Sequence, residues 1–135
     1  MSAPSSVLDA SALLAWLREE SGALTAEDAL GRVAAMNVVN WAEVLTKLAD
    51  LGQNPDEVRL RLVRQGVLGS ALLLWPLDED MALEIAKLRG STRSSGLSLG
   101  DRACIALGQH LRLPILTADR AWKTLRLRVP IQLIR

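Results

Sequence analysis

Four acids fall where apolar runs begin or end. Asp9 follows "SSVL", Asp119 follows the run Pro114-Ile115-Leu116-Thr117 closely, Asp101 comes after Ser98-Leu99-Gly100, and Glu43 lies inside "NWAEVL". Each has a local reading. Asp9 caps the helix in "DASALLAW", and Asp119 caps the one in "ADRAWKTL". Asp101 forms a capping-box-like pattern with Ser98, three residues earlier. Glu43 falls on a polar stripe with Asn40 and Lys47, and Glu43–Lys47 is a favourable i, i+4 pair. A second reading joins them. Helical spacing puts Cys104, Ile105 and Gly108 on the face of Asp101, where a carboxylate is costly unless something pairs with it. Close carboxylates repel, and a divalent cation is the usual remedy. Oxygen ligands without His or Cys select Mg²⁺ or Mn²⁺ over zinc. The chemistry natural to such a site is metal-assisted phosphodiester hydrolysis, in which the ions activate water and stabilise charge on the attacking and leaving oxygens.

Bringing these acids together requires particular elements. Ser5–Leu8 reads as a first strand ending at Asp9, and Ala12–Leu17 as a helix. Thr25 is predicted to cap a helix over Ala26–Leu30, and Val33–Met36 to be strand two. Asn37 opens a longer helix to about Leu51, in which Val38, Trp41, Leu45 and Leu48 recur at helical spacing before Gly52. Pro55 begins a helix ending near Gly66, and Ala71–Trp75 is strand three. Asp78 starts a helix to about Leu88. Gly90 to Gly96 is the most loop-like stretch. The Asp101 segment follows as helix then strand four, Asp119–Leu125 as a short helix, and Val129–Ile134 as a last strand. The alternation predicts an α/β fold with a mostly parallel sheet and helices on both faces. Ligands in such sheets bind beyond the carboxyl ends of the strands. Asp9 and Asp119 stand there, and Asp101 faces the same edge.

The 135 residues suit one domain, 1–135. With 16 basic and 15 acidic side chains, no cationic tail advertises nucleic acid, although a local basic rim suffices for it. The only aromatics are four Trp, which argues against a base-stacking platform. Trp16, Trp41, Trp75 and Trp122 are most simply core or interface anchors. One cysteine and one histidine exclude an internal disulfide framework and a His-rich metal site. Cys104 reads as a small core residue, and His110 sits too far along its helix from Asp101 to act as its base. Met1 to Ser6 lacks the basic and apolar regions of a signal peptide, and no apolar run reaches membrane-spanning length. The expectation is a cytoplasmic protein without membrane association.

The segments "VLDASALLAWL", "VVNWAEVLTKL" and "GLSLGDRACIALGQHLRLPILTAD" resemble those of PIN-domain ribonucleases and, more narrowly, VapC-type toxins of bacterial and archaeal toxin–antitoxin pairs. The resemblance spans nearly the whole chain, with "GDRACIAL" followed by "LTAD" its most specific part. It implies a three-layer sandwich around a sheet ordered 3-2-1-4-5 and a Mg²⁺- or Mn²⁺-dependent endoribonuclease. The family's acidic quartet falls on Asp9, Glu43, Asp101 and Asp119, both as metal ligands and as the catalytic set. Its hydroxyls fall on Ser11 and Thr117. The resemblance also implies an RNA substrate, a VapB-like antitoxin whose tail occupies the acidic site, and a homodimer.

Other residues bear on the same site. Asn40, one turn before Glu43, can orient that carboxylate, or can simply face water. Arg93, Arg102 and Arg120 can contact phosphates, or can be ordinary surface charge. A PIN-like module that binds RNA or protein without cutting is the alternative from another class. A phosphohydrolase with Asp9 as nucleophile is a third, although Ser11 stands where that chemistry wants a second acid.

Overall fold

The computed structural model of the chain describes residues 2–135; Met1, where the stretch read for a leader begins, lies outside them. The apolar runs form five strands: β1 Ser6–Leu8, β2 Ala34–Asn37, β3 Leu72–Trp75, β4 Ile115–Thr117 and β5 Ile131–Leu133. All neighbours are parallel, in the order β3-β2-β1-β4-β5 that the resemblance implied. Strands β1, β2 and β4 are buried at every position. A strand covered on both faces reads as an unbroken apolar run, which is why alternation is missing from them.

Six helices cover the sheet: α1 Ala10–Leu17, α2 Ala23–Gly31, α3 Val38–Asp50, α4 Pro55–Arg64, α5 Glu79–Thr92 and α6 Leu99–Leu111. On one face Leu8, Met36, Leu72 and Leu116 pack against Leu13, Leu30, Val44 and Leu62 of α1 to α4. On the other, Val7, Ala35 and Ile115 pack against Ile85, Ile105 and Leu107 of α5 and α6. The fold is a three-layer α/β sandwich around a parallel sheet, as the resemblance implied. Successive connections carry the chain from β1 outward to β3, and α5 and α6 bring it back to β4 on the other side of β1. The strand order therefore reverses between β1 and β4, and the crevice beyond their carboxyl ends is the natural ligand position. Asp9 follows β1 directly, and Asp119 comes two residues after β4.

Several boundaries differ from expectation. Helix α1 starts at Ala10 rather than Ala12, because Asp9 caps it from the strand end. Helix α2 starts at Ala23 and is not capped by Thr25. Gly22, at φ 94°, turns the chain so close to Ile134 that a Cβ there would stand 2.7 Å from its carbonyl oxygen. The expected loop from Gly90 is helical through Thr92 and then a 3-10 turn, Arg93–Ser95. Buried Thr92 donates from Oγ1 to the Leu88 carbonyl at 2.6 Å, so its hydroxyl bonds within the helix instead of breaking it. Arg120–Thr124 is a 3-10 turn rather than an α-helix, and β5 is shorter than Val129–Ile134.

Candidate metal centre

Asp9 is buried at the end of β1 and accepts three hydrogen bonds. Ser11 Oγ donates to Oδ1 at 2.7 Å, the Ala12 N–H to Oδ1 at 2.9 Å, and Thr117 Oγ1 to Oδ2 at 2.5 Å. Each hydroxyl has one proton and gives it to Asp9, so each is left an acceptor. Ser11 Oγ then accepts the Ala118 N–H at 2.9 Å, and Thr117 Oγ1 accepts the Asp119 N–H at 3.0 Å. The two hydroxyls thus tie Asp9 to the turn that carries Asp119. They also leave Asp9 poorly placed as a free nucleophile, since both its oxygens are engaged.

The second half of the cluster lies where α3 meets the start of α6. Asn40 Nδ2 donates to Glu43 Oε1 at 2.8 Å and to the Gly100 carbonyl at 2.9 Å. Asn40 is 1 % exposed, so it is not the solvent-facing helix residue that one reading of the sequence allowed. The Glu43 carboxylate lies against Gly100, the residue before Asp101. Asp101 and Ser98 form a reciprocal capping box, with both bonds at 3.1 Å. Asp119 caps its own turn through the Ala121 N–H at 3.0 Å. The capping readings of Asp9, Asp101 and Asp119 all hold, and the Glu43–Lys47 pair does not form.

Capping occupies one oxygen each of Asp101 and Asp119, and the Asn40 amide occupies one of Glu43. Asp101 Oδ1, Asp119 Oδ2 and Glu43 Oε2 accept no hydrogen bond among the described residues. None of the four acids has a Lys, Arg or His partner within ion-pair distance among those residues. Burial pushes the Asp9 carboxyl above its ordinary pKa, against the pull of its hydrogen bonds to Thr117, Ser11 and Ala12, and the Asp101 charge adds to the rise. Cys104 lies fully buried nearby. Its thiol is pushed well above its usual range, first by burial and then by the charges of Asp9, Asp101 and Glu43. All three carboxylates thus lie within electrostatic reach of that thiol. A soft thiolate does not join them, so the donor set is oxygen alone and fits Mg²⁺ or Mn²⁺. Among the described residues no group of three or more His, Cys, Asp or Glu side chains stands close enough together to hold a metal ion, and capping bonds hold Asp101 and Asp119 to their own backbones.

Arg93 and Arg120 are exposed beside this region of sequence. Arg102 is not turned to the acids: its guanidinium donates to the Ile85 carbonyl at 3.1 Å and fastens α6 to α5. Its Nε is buried without a partner. Sequence reasoning missed Gly100. The contact between positions 43 and 100 is long-range and leaves no periodic signal, although a glycine in the first turn of a helix is itself an irregularity. Trp41 and Trp122 are core residues, whereas Trp16 and Trp75 are half-buried.

The family model "PIN domain" matches residues 6–126. Among solved structures, the chain is similar to one in a toxin–antitoxin complex from Klebsiella pneumoniae. The two are 20% identical with TM-score 0.70, over 94% of this chain and 100% of that one. It is likewise similar to a chain of DNA-bound VapBC from Salmonella typhimurium, 12% identical with TM-score 0.71, over 98% and 100%. A third similar chain is from FitAcB of Neisseria gonorrhoeae, 20% identical with TM-score 0.66, over 86% and 88%. At such identities the likeness is one of fold. No curated protein sequence matches significantly.

Proposed function

The chain belongs to the PIN-domain family, and on that premise we propose that it is a divalent-metal-dependent endoribonuclease, the toxin of a toxin–antitoxin pair. The observation that carries this reading is that Asp9 and the turn bearing Asp119 are tied together beyond β1 and β4, with no cationic side chain within ion-pair distance of either acid, or of Glu43 and Asp101 at the start of α6, among the described residues. Asp9, Glu43, Asp101 and Asp119 would hold Mg²⁺ or Mn²⁺, directly or through water. When bound, the ion supplies activation of water and stabilisation of charge on the attacking and leaving oxygens of an RNA phosphodiester. Ser11 and Thr117 hold the Asp9 carboxylate toward this task, and Asn40 holds Glu43. Arg93 and Arg120 would meet backbone phosphates. Arg102 would have to leave the Ile85 carbonyl to join them.

Residues 1–135 then act as one PIN-like domain. The folds it shares occur in complexes described as VapBC or FitAcB, which supports a small VapB-like antitoxin as partner. Leu60 and Val63 on α4 and Leu83 on α5 are exposed, and they support a homodimer or an antitoxin contact on the helices after β2 and β3. No described helix is long and apolar enough to cross a membrane, and the reading places the protein in the cytoplasm. The non-cleaving binding module is favoured by one observation, that Asp101 and Asp119 are already engaged as caps.

Cleavage of a mixed cellular RNA pool separates the two. The nuclease yields discrete fragments with Mg²⁺ or Mn²⁺, none with EDTA and none from folded Asp101→Asn. RNA or partner binding without cleavage by the wild type would move the reading to the binding module.

A further inference from the structure

Gly100 has a feature that no backbone requirement explains. It lies within the first turn of α6 with no positive φ, so its conformation is open to any residue. Glycine there weakens the helix relative to alanine. The space around it gives the reason. A Cβ at position 100 would stand 2.5 Å from Glu43 Oε2, 2.6 Å from Oε1 and 2.7 Å from Cδ. Glu43 is exposed, and its carboxylate is the movable end of a flexible chain. Added bulk would displace that carboxylate rather than the helix.

Asn40 sets the same contact from the other side. Its amide bridges Glu43 Oε1 and the Gly100 carbonyl, while its own Oδ1 is buried without a partner. A buried side chain that leaves one polar atom unsatisfied to make this bridge is specified by the bridge, not by general stability.

We infer that Gly100 is a positioning residue: its missing side chain seats the Glu43 carboxylate, clamped by Asn40, beside Asp101 at the start of α6. This inference rests on the metal reading of the four acids and deepens it. The seat fixes an exposed glutamate that would otherwise sample many rotamers, and fixes it next to the neighbouring acid with which it would share an ion.

Mn²⁺ binding to the purified full chain tests it, in a cycle of wild type, Gly100→Ala, Glu43→Gln and the double variant, with the metal-free melting temperature of each. Gly100→Ala is expected to bind Mn²⁺ roughly tenfold more weakly than wild type. Its metal-free melting should stay within about 2 °C of wild type. In the Glu43→Gln background the same alanine should change affinity by less than about twofold. A purely structural glycine would lower melting and would weaken Mn²⁺ binding equally in both backgrounds. Either result, or undiminished binding by Gly100→Ala, overturns the inference and leaves the metal reading standing. No Mn²⁺ binding by wild type overturns both.

Discussion

Gly100 and Gly108 lie roughly two turns apart on α6, both buried, and both have a neighbour where a Cβ would stand. At Gly108 that neighbour is the Ile115 side chain, whose Cδ1 would be 2.5 Å away, in the core between α6 and β4. At Gly100 it is the carboxylate of Glu43. One glycine allows a helix to approach a sheet, and the other leaves room for an acid. The difference shows how a single helix can serve the core at one end and a site at the other. An intruding methyl must move a packed isoleucine in one place and an exposed carboxylate in the other.

The comparison breaks if the two glycines respond alike. Gly108→Ala is expected to destabilise the fold by about 1–3 kcal/mol through overpacking. That amounts to a fall in melting temperature of roughly 3–10 °C. Ile115→Val, which removes Cδ1, should restore part of the loss. Full stability of Gly108→Ala would show that the core yields as easily as the site.

Thr117→Val tests the link between Asp9 and the turn that carries Asp119. It leaves the Asp119 N–H without its acceptor and Asp9 without its Thr117 donor. A loss of about 1–3 kcal/mol is expected, together with weaker Mn²⁺ binding. Unaltered metal affinity in the folded variant would sever the two functions of that hydroxyl.

Ser98→Ala sharpens the comparison at the end of α6 nearest the acids. It removes one arm of the capping box and should cost about 1 kcal/mol. Cleavage should stay within about threefold of wild type, since Asp101 keeps its Ser98 N–H partner. Loss of cleavage would mean that the cap itself sets the carboxylate.

These contrasts explain what was legible in the sequence. Asp9, Asp101 and Asp119 could be placed because each sits at the boundary of an apolar run, and a boundary is a local signal. The sheet order came through resemblance, since no local pattern states which strands are neighbours, and the proposal that Glu43 is a metal ligand rests on the same resemblance. The helical run through Thr92 was missed because its Gly and Ser residues favour loops, while the Thr92 hydroxyl is satisfied by a carbonyl one turn back. The reversed orientation of Arg102 and the seat at Gly100 were invisible for a common reason. Each depends on an atom from a distant segment, the Ile85 carbonyl or the Glu43 carboxylate. The caps of Asp101 and Asp119 do not by themselves exclude metal ligation, because each engages one carboxylate oxygen and leaves the other without a hydrogen bond.

The central claim is that the acids are assembled for a cation and not for the fold. Asp9 tests it most directly, being buried, raised in pKa and near the Asp101 charge. The measurement is thermal melting of wild type and Asp9→Asn, each without metal and with Mn²⁺. Asparagine can keep the bonds from Ser11 and Ala12 and donate to Thr117, while shedding a buried charge. The expected result is that Mn²⁺ raises wild-type melting by several degrees, as saturating ligand does. Asp9→Asn should melt at or above metal-free wild type and ignore Mn²⁺. A wild type indifferent to Mn²⁺, with Asp9→Asn melting well below it, would contradict the claim and make Asp9 a structural cap.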